Sequence, residues 1–205
     1  MMNKVVLPLG VYGANCVILW KDPQQAWLFD PGYDAGTILA ALKKEDLKLG
    51  VIVLTHAHFD HISAVNTVLA DQPAPVYLHA ADVPMAFSPM NQMPPYASTK
   101  KPASLDITKG DGDTLTCGGL TGTFLHTPGH TPGSWCIRFE AENLMVTGDT
   151  LFAGSIGRTD FPGGSMDQME ASLARLKQLP DAIRIICGHG LESTLGQEKK
   201  TNPYL

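Results

Sequence analysis

The sequence has few basic residues and no basic stripe. Its 205 residues include 15 Lys and Arg against 20 Asp and Glu, which gives a formal net charge of -5. A protein that follows a phosphate backbone needs clustered positive charge on one surface. The composition therefore predicts that nucleic acid is not a partner of this protein.

The sequence also lacks a long apolar run and a secretion signal. No uncharged apolar stretch reaches the roughly 18 residues that a membrane-spanning helix needs. Gly10, Gly13 and Asn15 interrupt the apolar amino terminus, and no cleavage site of small residues follows it. We therefore expect a cytoplasmic protein with no membrane partner.

The sequence also lacks closely spaced cysteine pairs. Cys16, Cys117, Cys136 and Cys187 lie far apart in the chain, and no two of them form a CxxC pair. Each lies in an apolar or strand-like segment, where cysteine behaves as a small hydrophobic residue. The prediction is four buried free thiols.

The apolar pattern that is present predicts one α/β domain spanning residues 1–205. A hydrophobic content of 44% supports one substantial core, and the length leaves no room for a second domain of ordinary size. Predicted strands cover residues 5–9, 15–20, 26–29, 49–54, 76–78, 114–117, 122–125, 134–139, 144–147 and 183–187. Predicted helices cover residues 35–44, 62–70 and 166–177. Strands in two groups, each with helices, indicate two sheets packed face to face and covered by helices outside.

The segment from about residue 82 to 112 is rich in Pro, Met and Ser and loses this periodicity. Structureless loops of such length are usually functional or disordered. Tyr96, Lys100 and Lys101 are therefore candidates for a lid over a substrate, and the alternative is a solvated or dimer-forming loop.

The segment HAHFDH at residues 56–61 directly follows a predicted strand and holds four possible metal ligands. On a helix, His56 and His58 would point about 200° apart, so the ligands are predicted to lie on a non-helical loop. An extended backbone points residues i and i+2 the same way, so these two histidines can share one ion. Asp60 and His61 can then turn toward a second ion.

Three further segments end a predicted strand with a candidate ligand flanked by glycine, namely TPGHTPG, GDT and GHG. Glycine allows a sharp turn of the backbone close to an ion. We predict that His56, His58 and His130 bind one metal, that Asp60, His61 and His189 bind a second, and that Asp149 bridges them. Imidazole and carboxylate ligands without thiolate suit zinc first, with iron or manganese as alternatives. His79 and His126 lie outside this set and are predicted not to bind metal.

In this order, HAHFDH, TPGHTPGS, GDTLF and GHG resemble the motifs of the metallo-β-lactamase superfamily, and the resemblance covers nearly the whole chain. The family resemblance implies a four-layered αββα sandwich with metals at one edge of the sheets. Asp30, in LFDPG, is similar to a family aspartate that supports the site without binding metal. A β-lactamase would need a secreted chain, and the nucleases of this family would need a basic surface or an added RNA-binding module.

Within the superfamily, GDTLFAGSIGRTDFPGGS at residues 148–165 resembles glyoxalase II, the hydroxyacylglutathione hydrolase, and especially its short single-domain bacterial relatives. Glyoxalase II carries a C-terminal helical domain that helps to grip glutathione, whereas 16 residues follow His189 here. The resemblance implies hydrolysis of S-D-lactoylglutathione or a related acyl thioester by a hydroxide that bridges the metals. The expected partner is thus a small-molecule thioester derived from glutathione or a similar thiol.

One of the predicted ligands and four further residues are candidates for other roles. One carboxylate oxygen of Asp60 can bind metal while the other accepts a proton from the hydroxide, which makes Asp60 the candidate catalytic residue. Ser155, Arg158 and Asp160 are candidates for contacting the substrate or supporting the ligands, and an Arg-Asp pair that only pins the loop is the alternative. Tyr96 is the candidate from the long segment.

Two other functions compete with a thioester hydrolase. A persulfide dioxygenase of the same superfamily would keep one iron on His56, His130 and Asp149, with open positions for oxygen. That family usually resembles HCHADH where this chain has HAHFDH, which disfavours it. The second alternative is a non-catalytic binding protein stabilised by metal, although every expected ligand is present.

Overall fold

The computed structural model describes residues 1–205, and the amino-terminal half of the chain builds a six-stranded sheet. Its strands, in spatial order, are β1 (Asn3–Leu9), β2 (Ala14–Trp20), β3 (Ala26–Phe29), β4 (Leu49–Val53), β5 (Val76–Tyr77) and β6 (Leu105–Asp106). β1 to β3 form an antiparallel meander, and β3 to β6 pair in parallel. The carboxyl ends of the parallel strands therefore meet at one edge of the sheet.

The carboxyl-terminal half builds a second six-stranded sheet and a small hairpin. The strands of this sheet are β7 (Thr114–Cys117), β8 (Leu120–His126), β9 (Trp135–Phe139), β10 (Leu144–Gly148), β13 (Arg184–Cys187) and β14 (Ser193–Thr194). Their spatial order is β14-β13-β10-β9-β8-β7, and only β10 and β13 pair in parallel. The hairpin consists of β11 (Leu151–Phe152) and β12 (Ser155–Ile156).

Six helices cover the outer faces of the two sheets. They are α1 (Ala35–Lys44), α2 (Phe59–Ile62), α3 (Val65–Asp71), α4 (Val83–Ala86), α5 (Met166–Lys177) and α6 (Leu195–Thr201), with short 3-10 turns at Ala80–Asp82 and Glu140–Glu142. Side chains that accept backbone N–H groups fix the starts of the longer helices, as Asp34 does for α1 and Ser165 does for α5. None of the six combines the length and apolar character needed to cross a lipid bilayer.

Three apolar cores separate four layers. Alternate residues of β2 face different cores, because side chains on a strand point to opposite faces: Val17 and Leu19 lie between the sheets, whereas Ile18 packs toward α1. The core between the sheets is the most aromatic and contains Trp27, Phe29, Phe124, Trp135 and Phe139. The other two cores lie between the first sheet and α1 and α3, and between the second sheet and α5. The predicted αββα arrangement is confirmed.

The predicted helix at 62–70 is wrong in its boundaries, because two helices occupy this region. The amide of Ala64 donates to the carbonyl of Pro31 instead of continuing the helical pattern. The hydroxyl of Ser63 donates to the carbonyls of Phe59 and Ala97. α2 therefore ends after one turn, and α3 begins at Val65.

The segment from 82 to 112 is more ordered than predicted, since α4 and β6 lie within it and β6 pairs with β5. Asn91 is buried there and donates to the carbonyls of Ala57 and Ala86. This packing ties the segment to the loop that follows β4.

The four cysteines are free, and three of them are buried as predicted. Cys117 is the exception, because it is only partly buried at the end of edge strand β7. Its thiol faces the main chain and the side chain of Gln25.

Candidate metal centre

The loop after β4 carries the HAHFDH segment. His56 and His58 precede α2, and His58 has an extended backbone with φ -64° and ψ 144°. The prediction of a wholly non-helical loop is wrong for Asp60 and His61, which lie on the single turn of α2. Asp60 and His61 converge with His189, whereas His56 and His58 converge with His130, so the segment contributes to two sets of ligand atoms.

The remaining candidates follow strands of the second sheet. His130 lies in the loop between β8 and β9, Asp149 directly follows β10, and one residue separates His189 from the end of β13. Because β10 and β13 run in parallel, they deliver Asp149 and His189 to the same edge. Gly148 at this edge has a φ of +48°, a left-handed conformation that glycine adopts without steric cost.

His56, His58 and His130, the first triad, have ligand nitrogens that all lie within 4.8 Å of one another. The Nδ1 of His58 is 2.8 Å from the Nε2 of His130. The Nε2 of His56 is buried and has no hydrogen-bond partner. Such orphaned polar atoms are rare in native interiors, and three convergent nitrogens suit a divalent cation.

Asp60, His61 and His189, the second triad, also converge within 4.8 Å. The Nε2 atoms of His61 and His189 are 3.2 Å apart. The Oδ2 of Asp60 lies 3.5 Å from the Nε2 of His189 and 3.9 Å from that of His61. Two imidazoles and a carboxylate form a second set that could hold a divalent cation.

Asp149 joins the two triads. Its Oδ2 is 3.4 Å from the Nε2 of His130, in the first triad, and 3.5 Å from that of His189, in the second. Its Oδ1 is 3.5 Å from the Nε2 of His61 and is buried without a hydrogen-bond partner. The carboxylate thus has the position of a bridge between two cations, and its unpaired oxygen fits that role.

Two histidines of the first triad have lowered pKa values, which favour their neutral, metal-binding form. Burial, followed by repulsion from neighbouring histidines, lowers the pKa of His56 well below its usual value and that of His58 to about 3. Both imidazoles are therefore neutral near neutral pH. The neutral form is the one that ligates metals.

The second triad concentrates negative charge. Burial lowers the pKa of His61, but the carboxylates of Asp149, Asp60 and Asp30 outweigh burial and raise this pKa to about 10. The pKa of His189 is also raised, because the hydrogen bond and charge of Asp149 outweigh burial. The carboxylates thus favour positive charge here, whether a proton or a metal supplies it.

Asp30 contacts His61 of the second triad at the ring nitrogen that does not face the other members of the triad. Its Oδ2 accepts from the Nδ1 of His61 at 3.0 Å and from the hydroxyl of Thr55 at 2.7 Å, and its Oδ1 accepts from the amide of Thr55. Asp30, His56 and His61 also have ligand atoms close enough to hold a cation together. We assign Asp30 to support, because its oxygens already accept three hydrogen bonds and its partner on His61 is the nitrogen opposite the triad.

Backbone carbonyls fix two more ligands. The Nδ1 of His130 is 2.7 Å from the carbonyl of Arg158, and the Nδ1 of His189 is 3.0 Å from the carbonyl of Tyr12. Each contact places the proton on Nδ1 and leaves the Nε2 lone pair for a cation. The loop at residues 157–161, which we call the GRTDF loop, and the turn between β1 and β2 thus orient two candidate ligands through main-chain carbonyls.

Asp82 is a supporting residue that the sequence analysis missed. It is fully buried, and its carboxylate accepts from the amides of Ala57 and Gly133 at 2.8 and 2.6 Å and from the hydroxyl of Thr131 at 2.8 Å. Burial raises its pKa, and these hydrogen bonds oppose the rise. Asp82 ties the loop that holds His56 and His58 to the loop that holds His130. No motif marks it, because its partners are distant in sequence.

The other predicted site residues divide into two groups. Arg158 lies at the cavity, and its guanidinium makes a two-point ion pair with Asp160, at 2.7 Å for each bond. Ser155 is exposed on β12 and does not line the cavity. Tyr96 is 2% exposed, so the predicted lid role does not fit it. It lies beneath the surface, where its hydroxyl accepts from the amide of Tyr12 at 3.3 Å.

A cavity of about 680 Å³ opens over both triads. Its lining residues are Tyr12, His58, Phe59, Asp60, Met93, His130, Asp149, Phe152, Ile156, Gly157, Arg158, Phe161 and His189. Lys100 and Lys101 do not line it. His79 and His126 lie outside the triads, where their rings stack 4.2 Å apart.

Comparisons with known proteins agree with this geometry. The family model described as the metallo-beta-lactamase superfamily matches residues 9–189. The hydroxyacylglutathione hydrolase GloC of Haemophilus influenzae is 35% identical to this chain. The alignment has 212 positions and covers 100% of this chain and 98% of that protein.

Two crystal structures are similar over almost their whole length. The B3 metallo-beta-lactamase BLEG-1 superimposes with a TM-score of 0.92 at 38% identity, covering 99% of both chains. TTHA1623 in a di-iron-bound form superimposes with a TM-score of 0.87 at 35% identity, covering 98% of this chain and 100% of that chain.

Proposed function

The chain belongs to the metallo-β-lactamase superfamily of metallo-hydrolases, and from this premise we propose that it hydrolyses thioesters with two bound divalent metal ions. The observation that carries the proposal is the pair of triads joined by Asp149, with orphaned atoms on His56 and Asp149 directed at the sites where cations would lie. The similarity to a hydroxyacylglutathione hydrolase supports S-D-lactoylglutathione or a related acyl thioester as the substrate.

The donor set fits zinc, with iron or manganese as alternatives. All seven proposed ligands are imidazoles or carboxylates, which accept each of these metals. The di-iron form of a similar protein supports iron as an acceptable occupant. The first triad would hold one ion, the second triad the other, and Asp149 would bridge them.

When bound, two such ions supply a hydroxide at neutral pH and polarise the substrate carbonyl. The chain's own contribution is orientation and proton transfer. Asp60 lines the cavity and its Oδ2 lies 3.5 Å from the Nε2 of His189, so its other oxygen can accept the proton of the hydroxide. A thiolate leaving group, with a parent pKa of about 8.5, departs without a strong acid.

The first experiment combines metal analysis with thiol release from S-D-lactoylglutathione. The wild-type protein is expected to hold two divalent metals per chain and to release thiol. Asp149→Ala should lose both properties, with activity falling roughly a thousandfold because metal catalysis contributes several kcal/mol. His126→Ala, a histidine outside both triads, is the matched control and should lose neither. Full metal content and turnover in Asp149→Ala would sink the ligand assignment.

The persulfide dioxygenase remains the second candidate. Its single iron would use His56, His130 and Asp149, and the Nε2 of His130 does lie 3.4 Å from the Oδ2 of Asp149. The complete second triad argues for two ions instead. Oxygen uptake on glutathione persulfide with one iron per chain and no thiol release would move the protein to the dioxygenases. Because BLEG-1 is a β-lactamase, cleavage of a β-lactam without thioester cleavage would move it to the lactamases.

A further inference from the structure

Apart from the proposed ligands, apolar side chains form most of the wall of the metal cavity. We call them the apolar wall, and they are Tyr12, Phe59, Met93, Phe152, Ile156 and Phe161. The turn between β1 and β2, α2, the 82–112 segment, the hairpin and the GRTDF loop each contribute to it. Five separate parts of the chain thus bring apolar groups to one cavity.

The apolar wall touches both metal sites. The ring of Phe161 meets the ring of His58, in the first triad, edge to face at 5.7 Å. The ring of Phe152 meets the ring of His189, in the second triad, edge to face at 6.0 Å. A carbonyl held between the triads therefore has aromatic surface on both sides.

Part of the apolar wall is exposed to water at the cavity mouth. Tyr12 is 47% exposed, Met93 46% and Phe161 40%. Apolar side chains grouped at a cavity in this way mark a binding surface more often than scattered ones do. A ligand that covers them gains free energy by removing apolar surface from water.

The wall is also held in place, as a recognition surface requires. The ring of Tyr12 stacks on the buried ring of Tyr96, with centroids 5.7 Å apart and planes 18° apart. Its hydroxyl donates to the sulfur of Met93 at 2.7 Å. The ring of Phe59 packs against Tyr96 at 5.3 Å. These contacts restrict Tyr12, Met93 and Phe59 before a ligand binds, so less side-chain entropy is lost when a ligand packs on them.

Arg158, the only Lys or Arg side chain that lines the cavity, is already paired. Arg158 makes two bonds to Asp160, and its guanidinium lies 3.7 Å above the ring of Phe161. Asp160 occupies Nε and Nη2, which leaves only Nη1 of this guanidinium for a carboxylate of glutathione. The cavity thus offers six apolar side chains against one Lys or Arg side chain, and that one is already paired.

We propose that the cavity selects thioesters with an apolar acyl group, such as a medium-length alkyl or aryl group, which packs on the apolar wall. This inference rests on the proposed thioester hydrolysis and names its substrate class. The acyl group lies in the cavity beside the triads, and the thiol carrier extends through the mouth into solvent.

The test is a series of glutathione thioesters that share one thiol and differ in the acyl group: lactoyl, acetyl, butanoyl, hexanoyl and phenylacetyl. For the metal-loaded protein, kcat/KM should rise by about fourfold for each methylene that becomes buried. The hexanoyl and phenylacetyl esters should exceed the lactoyl ester. Equal or faster hydrolysis of the lactoyl ester would overturn the inference.

A second arm holds the acyl group at acetyl and varies the thiol from glutathione to hexanethiol and benzyl thiol. A strong gain in this arm, with a flat acyl series, would place the apolar group on the thiol and overturn the assignment to the acyl side. A flat thiol arm with a rising acyl arm supports it.

Phe161→Ala tests the wall through the ratio of two substrates, because any effect through His58 should act on both. It should lower kcat/KM for the hexanoyl ester about tenfold more than kcat/KM for the acetyl ester, which corresponds to the loss of one buried aromatic contact. Ile107→Ala is the matched control, since Ile107 is 42% exposed and does not line the cavity. An equal effect of Phe161→Ala on both esters would contradict selection by the wall.

Binding of free carboxylates separates this inference from the proposed function. Acetate, butanoate and hexanoate are titrated calorimetrically into the metal-loaded wild type and Phe161→Ala. If no thioester is cleaved, the proposed hydrolase fails, whereas binding that tightens with chain length and weakens in Phe161→Ala still supports an apolar acyl ligand. Binding that ignores chain length overturns the inference whatever the activity.

Discussion

The Oδ2 of Asp30 lies 3.0 Å from the Nδ1 of His61, and both side chains are buried. Asp30 also has a left-handed backbone, with a φ of 48°. Asn tolerates this conformation, so Asp30→Asn removes the charge without straining the turn. Changes to residues that orient metal ligands typically cost 10- to 100-fold in metal affinity, and we expect a loss of about that size at the second triad.

Competition with a chelator measures this loss for each of the two metals. The control is Asp34→Asn, because Asp34 also has a left-handed backbone, with a φ of 45°, but caps α1 at the surface. Its metal affinities should not change. Unchanged affinity in Asp30→Asn would show that Asp30 does not orient His61.

Gly188 approaches the site more closely than any side chain would allow. A Cβ at this position would lie far inside the van der Waals radius of the Oδ1 of Asp149 and 3.0 Å from the Cε1 of His61. Gly188→Ala should therefore displace the proposed bridge and reduce the metal content by at least one ion per chain, as measured by elemental analysis.

Gly190→Ala is the control on the other side of His189. Gly190 has a φ of +75° but open space where a Cβ would lie, so alanine should cost about 1–2 kcal/mol in stability and leave the metals bound. A Gly188→Ala protein that keeps both metals would contradict the proposed position of the bridge.

The buried carboxylate of Asp82 links the two loops of the first triad through three hydrogen bonds. Asp82→Asn replaces one carboxylate oxygen, which accepts hydrogen bonds, with an NH2 group, which donates them. This NH2 group would then face another N–H or O–H donor. Leaving such buried groups unpaired costs about 1–3 kcal/mol, and Tm should fall by about 2–4 °C for each kcal/mol. Differential scanning calorimetry measures the fall.

Asp113→Asn is the control, and it tests whether replacing any carboxylate in a loop lowers Tm by this amount. Asp113 is exposed and accepts one backbone hydrogen bond, from Gly110 at 2.9 Å. Its replacement should change Tm little, since water can satisfy the exposed groups. Equal Tm values for the two variants would show that the hydrogen bonds of Asp82 do not stabilise the loops of the first triad.

The local sequence predicted the layers and the ligand candidates, because both depend on features of short segments. Apolar runs marked most strands, and HAHFDH lies in one stretch after β4. The positions of His130, Asp149 and His189 beside that stretch followed from strand ends and from the family resemblance.

Other features depend on contacts between distant segments and could not be predicted in this way. Asp82 meets its partners about 50 residues later in the chain, at Thr131 and Gly133. Tyr12 reaches the site because the turn that carries it packs on Tyr96. The hairpin strands β11 and β12 are too short, at two residues each, to show a periodic pattern.

The raised pKa of His61 predicts how metal binding depends on pH. In the metal-free protein the carboxylates raise this pKa from 6.5 to about 10. The protonated form therefore stabilises the metal-free fold below 6.5, and this contribution is lost as the pH rises through about 10. A cation at the second triad must displace this proton. The apparent affinity of the second triad for metal should therefore rise about tenfold for each pH unit at pH values below the raised pKa of His61.

Calorimetric titration in two buffers of different ionisation enthalpy counts the protons released as each metal binds. In mildly alkaline solution, filling the second triad should release about one proton from His61. His58 should release none on filling the first triad, because its pKa of about 3 leaves it neutral throughout this range. Affinity at the second triad that stays constant with pH, with no proton release, would show that the carboxylates do not hold a proton on His61.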